Sequence, residues 1–431
     1  MRNVATVQRR PWMAQAIWGW RLELVLGLGT ILLLSFSTRL GSLGSVIAFL
    51  GLVALNQVRP ELRQKIKRQM KINREERWLH GAFWHCCVVG RTGRIPKVVR
   101  SARLPVGQRY LVRLPIGLHL ESMTDACLEL AAALGVREVR VKAIPQNARY
   151  VEVIVVRSSA FPTTLTSPLI THREISLWEP IHFGIGEDGT PVRLHLVERN
   201  LLIGGEPGAG KSVALSTIVA CAALDPSVHL TLLDGKLVEL APWTGAADCF
   251  VGPNQQDAVA ALESLRDIMD FRYATLAAAR KRKITREDPE GLHVVVIDEL
   301  AFYLRGGTKA TRDNFSELLR DLVSRGRAAG VIVVAATQKP SHEVVPTWIR
   351  DLFAFRLAMR CTSSDASDTI LGQGWASQGF SAAGIDPSQR GVGLLLAEGG
   401  VPMRIMTTFL SDDDVDILSD HAQLIRSAHG L

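Results

Sequence analysis

A chain of 431 residues with 47% hydrophobic side chains is long enough for two or three domains and supplies a large core without covalent staples. Six scattered cysteines exclude a disulfide framework, and the adjacent Cys86-Cys87 beside His85 lacks zinc-ligand spacing, so a reducing, cytosol-facing setting without a structural metal is expected. The formal charge of +8 is uneven: from Arg59 to Arg113 stand 15 Lys/Arg against three acids, which points to an anionic neighbour, either lipid headgroups or nucleic acid.

In chain order, two apolar runs over residues 22–37 and 40–58 come first, separated by Thr38-Arg39. Arginines precede the first run, the Lys/Arg block follows the second, and only Arg39 lies between them, so the positive-inside rule places both ends in the cytoplasm. Trp12, Trp18 and Trp20 then sit at the headgroup level. Residues 1–58 are therefore expected to form a transmembrane helical hairpin in the cytoplasmic membrane; a buried helical hairpin in a soluble domain is the plainer alternative. No small-residue cleavage site marks a signal peptide. Residues 59–104 read as a basic juxtamembrane stalk, with Leu62, Ile66, Met70 and Ile72 on one helical face and cations facing lipid or DNA on the other.

Residues 105–175 read as a small α+β domain. The signs are alternation over 110–114 and 137–143, a helical run over 123–134 and an apolar strand over 150–156. Pro162 and Pro168 among Ser and Thr mark a linker. Residues 181–186 and 191–196, joined by Glu187-Asp188-Gly189, predict a hairpin. From there to residue 410 strands and helices alternate, which predicts an α/β domain over 176–410 with a parallel sheet covered by helices on both faces. Residues 411–431 remain as a C-terminal tail.

The chemistry concentrates in the segment Gly205-Glu206-Pro207-Gly208-Ala209-Gly210-Lys211-Ser212, which has the form GxxxxGK[ST] between an apolar strand and a helix. Its glycines let backbone amides turn toward phosphates, with the positive end of the helix behind them. Lys211 is expected to reach the β- and γ-phosphates of ATP and Ser212 to ligate Mg²⁺. Four apolar residues from Val294 to Ile297 end in Asp298-Glu299, roughly 85 residues further on. Asp298 is expected to hold Mg²⁺, and Glu299 to orient and deprotonate the attacking water. A third apolar strand over 331–336 ends in Thr337-Gln338-Lys339-Pro340, so Gln338 is the candidate γ-phosphate sensor.

These segments resemble those of the FtsK/SpoIIIE family of double-stranded DNA pumps. Leu233-Asp234-Gly235-Lys236 with Val238-Glu239-Leu240 is similar to the family's DPK…EL segment, with glycine in place of proline. Residues 257–282, including Arg272-Tyr273, resemble its long helix with a basic end. Ile297-Asp298-Glu299 matches VDE, residues 325–331 and 336–340 match ARAAGIH and ATQRP, and residues 367–371 echo SRTIL. The resemblance covers residues 105–410. It implies a RecA-like P-loop motor, a homohexameric ring around double-stranded DNA, and an N-terminal membrane tether. A ring site also needs a cation from the neighbouring subunit, for which Arg327, Arg350 and Arg356 are candidates.

Departures refine the expectation. The membrane part is shorter than in the chromosomal pumps, and 21 residues after 410 are too few for a winged-helix DNA reader. That compactness resembles the conjugative Tra translocases of actinobacterial plasmids and integrative elements, which implies transfer of DNA between cells, with a specificity partner supplied by the element. A chromosome-segregation pump needs the same motor. A type VII protein-export ATPase or a non-catalytic scaffold are the other readings. Export ATPases carry tandem motors, whereas this chain has one P-loop, and a scaffold has no use for Glu299.

Overall fold

The structure, a computed structural model, describes residues 74–144, 146–158, 161–171, 175–338, 340–341 and 344–430. The expected membrane hairpin over 1–58 and the first part of the stalk lie outside the described residues. Among the described residues no helix is long and apolar enough to cross a membrane. The chain forms two compact units, divided after Ser159.

The first unit is a four-stranded antiparallel sheet of β1 (Lys97–Leu104), β2 (Gly107–Arg113), β3 (Glu138–Ala143) and β4 (Tyr150–Val156), in the order β1-β2-β4-β3. The period-2 pattern puts Tyr110, Val112, Val139, Val151 and Val153 on one face. There they form a core with Leu79 and Phe83 of helix α1 (74–85), Met123 of α2 (Leu120–Asp125) and Leu130 of α3 (Cys127–Leu134). The helical run expected over 123–134 is thus two short helices that meet at Ala126.

The stalk expected over 59–104 is corrected in its second half. Leu79 and Phe83 are fully buried and β1 pairs along β2, so residues 74–104 belong to the α+β unit. The many cations there obscured two apolar anchors four residues apart on a helix, which suffice to seat it on a sheet.

The second unit holds a ten-stranded sheet. Its strands are β5 (Ile181–Gly186), β6 (Pro191–Leu194), β7 (Leu201–Gly204), β8 (Val228–Leu233), β9 (Cys249–Val251), β10 (Leu292–Ile297), β11 (Val331–Thr337), β12 (Phe355–Met359), β13 (Val392–Leu396) and β14 (Met403–Thr407). The spatial order is β6-β5-β14-β13-β12-β7-β11-β10-β8-β9. From β12 to β9 all pairs are parallel, whereas β12–β13, β13–β14, β14–β5 and β5–β6 are antiparallel. The sheet is therefore mixed rather than parallel throughout. Strands joined by short turns, such as β5–β6 and β13–β14, have no room for the crossover a parallel pair requires.

Each central strand is apolar on both sides because helices cover both faces. Leu201, Ile203, Val294, Val296, Ile332 and Val334 pack in one core with α4 (Lys211–Ala223) and α10 (Asp412–Ala428). Leu202, Val295, Ile297, Val331 and Val333 pack in the other with α5 (Gln255–Ala278), α6 (Leu300–Arg305) and α7 (Lys309–Arg325). The short α8 (Thr347–Arg350) and α9 (Ser364–Leu371) flank β12 in sequence.

Two expected boundaries change. Residues 411–431 are no tail: Ser411 caps α10 in a reciprocal capping box with Asp414, and Val415, Leu418 and Ala422 enter the core. Arg426 anchors the far end through Val228 O at 2.9 Å and Asp248 at 2.6 Å. Leu169 and Leu177 also join this core, and Thr166 bridges Phe409, so the segment before residue 176 packs with the second unit rather than with the α+β unit.

Candidate nucleotide site

β7 lies between β11 and β12, and the chain leaves its tip through the phosphate loop into α4, whose thirteen residues begin at Lys211. Backbone bonds to both neighbours set the loop. Gly205 N–H donates to Thr337 O (3.3 Å), Glu206 N–H to Arg360 O (2.9 Å), and Gly391 N–H to Ala209 O (2.9 Å). Two glycines are sterically required. A Cβ on Gly205 would come 2.9 Å from Met359 Cβ, and one on Gly210, where φ is +106°, 2.7 Å from Gly391 N. The amides at 208–212 stand at the positive end of α4, a position that suits a polyphosphate.

Lys211 opens α4 and is 6% exposed. Burial lowers its pKa, opposed by the charges of Glu299 and Asp298, so those carboxylates share its pocket. β10 ends two strands from β7, and Asp298 and Glu299 follow at its tip. Asp298 is buried, its N–H bonds Leu233 O, and its Oδ2 has no hydrogen-bond partner. Burial, reinforced by Glu239 and Asp234, pushes its pKa up to about 6. A buried carboxylate oxygen without a donor is the kind of hard-oxygen ligand that suits a cation such as Mg²⁺.

Glu299 is held at the tip of β11. Its carboxylate accepts from Thr337 Oγ1 at 3.0 Å and from Gln338 N–H at 3.2 Å, and Lys236 Nζ lies 3.8 Å away. The Gln338 side chain lines a cavity of about 530 Å³ together with Glu206, Pro207, Thr362 and Asp365. The structure thus brings the phosphate loop, Lys211, Asp298, Glu299 and Gln338 to one set of adjacent strand tips.

Four residues escaped the reading of the sequence. Asp234, fully buried, accepts backbone N–H bonds from Lys236, Leu237, Val238 and Leu240, and so shapes the loop that delivers Lys236 to Glu299. Their signal was the DGK…EL segment, whose role no spacing rule supplies. Thr337 stood within a quoted segment beside the more obvious Gln338. Arg360, which pairs with Glu206 at 2.5 Å, lies outside any motif.

The three candidate arginines all lie at the opposite end of the strands, ahead of β11 or at the start of β12; Phe355 pairs with Leu201, the first residue of β7. None reaches its own phosphate loop. Arg350 is 4% exposed, its Nε bonds Asp351 at 2.8 Å, and its buried Nη1 has no hydrogen-bond partner. Arg356 also faces Asp351, at 3.5 Å, with its side chain 20% exposed. Arg327 is 47% exposed and lies 3.4 Å from Glu398 at the surface.

The FtsK/SpoIIIE family model matches residues 178–374. DNA translocase FtsK of Bacillus cereus is 28% identical over 344 residues, which cover 74% of this chain and 42% of that protein. DNA translocase SftA of Bacillus subtilis is 29% identical over 357 residues, covering 76% of this chain and 35% of that one. The chain therefore spans less than half the length of these curated relatives. Among solved structures, the monomer of the pCW3 conjugation coupling protein TcpA with ATPgS shares the fold with a TM-score of 0.54 at 17% identity, over 82% of this chain and 99% of that one. The match to the FtsK/SpoIIIE family model runs from β5 to the end of α9 and takes in the phosphate loop, both acidic residues and Gln338, so this part of the chain is similar to that family.

Proposed function

We propose that this chain hydrolyses ATP to drive double-stranded DNA through a ring of identical subunits, six by family resemblance, anchored in the cytoplasmic membrane by residues 1–58. The observation that carries the reading is the seating of Glu299. Beside the phosphate loop its carboxylate accepts from Thr337 Oγ1 and Gln338 N–H, which supports a role in activating water. The loop amides and Lys211 bind the β- and γ-phosphates, and Glu299 takes the proton of the attacking water. Ser212 and Asp298 would hold Mg²⁺, which neutralises phosphate charge when bound. Gln338, just past the tip of the strand that touches both the base and the loop, orients the water and passes the state of the γ-phosphate to β11. Arg327, the most exposed of the three candidates, serves the next subunit's site. The resemblance to compact Tra translocases supports DNA transfer between cells, with an element-encoded partner choosing the DNA.

The test is hydrolysis by the full-length chain in detergent with and without duplex DNA of arbitrary sequence. Stimulation that weakens steeply with salt is expected, as is a loss of about 100-fold or more in kcat for Glu299→Gln with ATP binding retained. Indifference to duplex DNA overturns the pump, and wild-type turnover by Glu299→Gln overturns the assigned base.

A further inference from the structure

Strand register in the first unit assembles a cationic surface that the motor does not use. Lys97 pairs with Arg113 and Arg100 with Leu111 between β1 and β2; Arg113 pairs with Tyr150 and Leu111 with Glu152 on β4; Lys142 and Arg140 of β3 pair with Glu152 and Ile154. Alternation therefore puts Lys97, Arg100, Arg109, Arg113, Arg140 and Lys142 on one face, opposite the face that α1, α2 and α3 cover. Its acids are Glu152 and Glu138, which pair with Arg109 at 3.4 Å and Arg140 at 2.7 Å. Lys97, Arg100, Arg113 and Lys142 are exposed and make no ion pair among the described residues.

We propose that this sheet face binds the phosphate backbone of duplex DNA, an inference that rests on the DNA-pump reading and names a contact surface outside the ATPase. The four unpaired cations are a local excess of like charge that a polyanion relieves. Lys97 and Arg100 sit on β1, Arg113 on the adjacent β2 about 4.8 Å away, and Lys142 on β3, beyond β4 and about 10 Å from β2, a spread across the sheet suited to several phosphates. Shielding of a sheet edge accounts for β1 and β3 but not for Arg109 and Arg113, which lie on the interior strand β2. A lipid surface would call for projecting apolar anchors among the cations. Here the intervening Leu111 and Tyr150 are half-buried and Ile154 fully buried, the exposed Trp78, Ile116 and Leu128 lie outside the sheet strands, and Val99, at the bulge of β1, is a single exposed apolar side chain on the strands rather than a set of anchors. Contacts of this kind position the duplex without reading its sequence.

The experiment measures binding of full-length protein to a 40-bp duplex of arbitrary sequence across a salt series, about four double-helical turns. Lys97→Gln/Arg100→Gln/Arg113→Gln/Lys142→Gln is compared with the charge-keeping Lys97→Arg/Arg100→Lys/Arg113→Lys/Lys142→Arg. The first is expected to weaken binding at least tenfold and to flatten the slope of log K against log salt by about 3 to 4, and the second to retain both. Unchanged hydrolysis without DNA shows that the neutralised protein is folded. An unchanged slope in the neutralised variant overturns the proposal even where DNA still stimulates the wild type. Loss of binding to phosphatidylglycerol vesicles with duplex binding intact overturns it in favour of headgroups. Duplex binding by the face without any stimulation of wild-type hydrolysis overturns the pump reading alone.

Discussion

Glu206 is an anion inside a loop that receives phosphates, and its partner explains how it is tolerated. Arg360, offered from the end of the adjacent β12, pairs with it at 2.5 Å with both side chains mostly buried. Without Arg360 the carboxylate would repel a triphosphate at close range in a poorly solvated pocket. Arg360→Gln is expected to weaken ATP binding about tenfold, roughly 1.4 kcal/mol, and Glu206→Gln in the same protein to restore most of it. Titration calorimetry on the four proteins of the cycle decides; additive effects would mean the pair does not act as a unit. At this scale the GxxxxGK[ST] and acidic-tip residues were legible because their chemistry demands contiguous residues. Arg360 was not, since it meets Glu206 only because β12 lies beside β7. The enclosure of Arg350 was equally hidden: a side chain's accessibility depends on what folds over it.

Among the elements, β8 and β10 bury a histidine that ties the stability of the second unit to pH. His293 pairs with His229 across the strands and bonds Thr231 Oγ1 at 3.0 Å. Burial, with the neighbouring His229 and Arg272 adding, pushes its pKa down to about 3. The folded protein therefore keeps it neutral while the unfolded chain protonates it below about pH 6.5, so stability is full above that value and is lost as pH falls toward 3. Between pH 7 and pH 5 the loss from this residue amounts to about 2 kcal/mol. His293→Gln, which keeps a hydrogen-bonding group opposite Thr231 but cannot take up a proton, should shrink the difference in urea midpoint between the two pH values. An equal difference in both proteins would assign the sensitivity elsewhere. The same scale shows where patterns mislead. Residues 150–156 and 181–186 read as strands and are strands, because alternation reports a buried face directly. β1 was missed: on an edge strand carrying Lys97, Arg100 and Arg103, one covered face leaves little hydrophobic signal. Residues 411–431 carry a plain amphipathic pattern, but only the groove beside α4 and the Arg426–Asp248 pair make α10 part of the motor.

For the molecule as a whole, the proposed ring uses two different surfaces of each subunit, the phosphate loop at one end of the strands and Arg327 at the other. Arg327→Ala and Lys211→Ala proteins should each lose about a thousandfold in hydrolysis. Mixed, they should recover activity, since Lys211→Ala subunits still present Arg327 to the intact sites of their Arg327→Ala neighbours. A mixture as inactive as its components would remove Arg327 from the proposed role.

By itself the sequence determined the signature of a nucleotide site: the phosphate loop, the acidic strand tip and the apolar runs around them are local patterns whose chemistry needs adjacent residues. It also determined the uneven charge of the N-terminal third. Only the tertiary structure decided which groups converge from distant segments, because strand order and register are set by packing between residues far apart in the chain. That packing places Thr337 on Glu299, Arg360 on Glu206 and Lys236 beside the base, and it encloses Arg350 while leaving Arg327 at the surface. In the first unit the pairing of β1, β2, β4 and β3 turns cations scattered from Lys97 to Lys142 into one face, since neighbouring strands lie closer together than residues a few places apart along them.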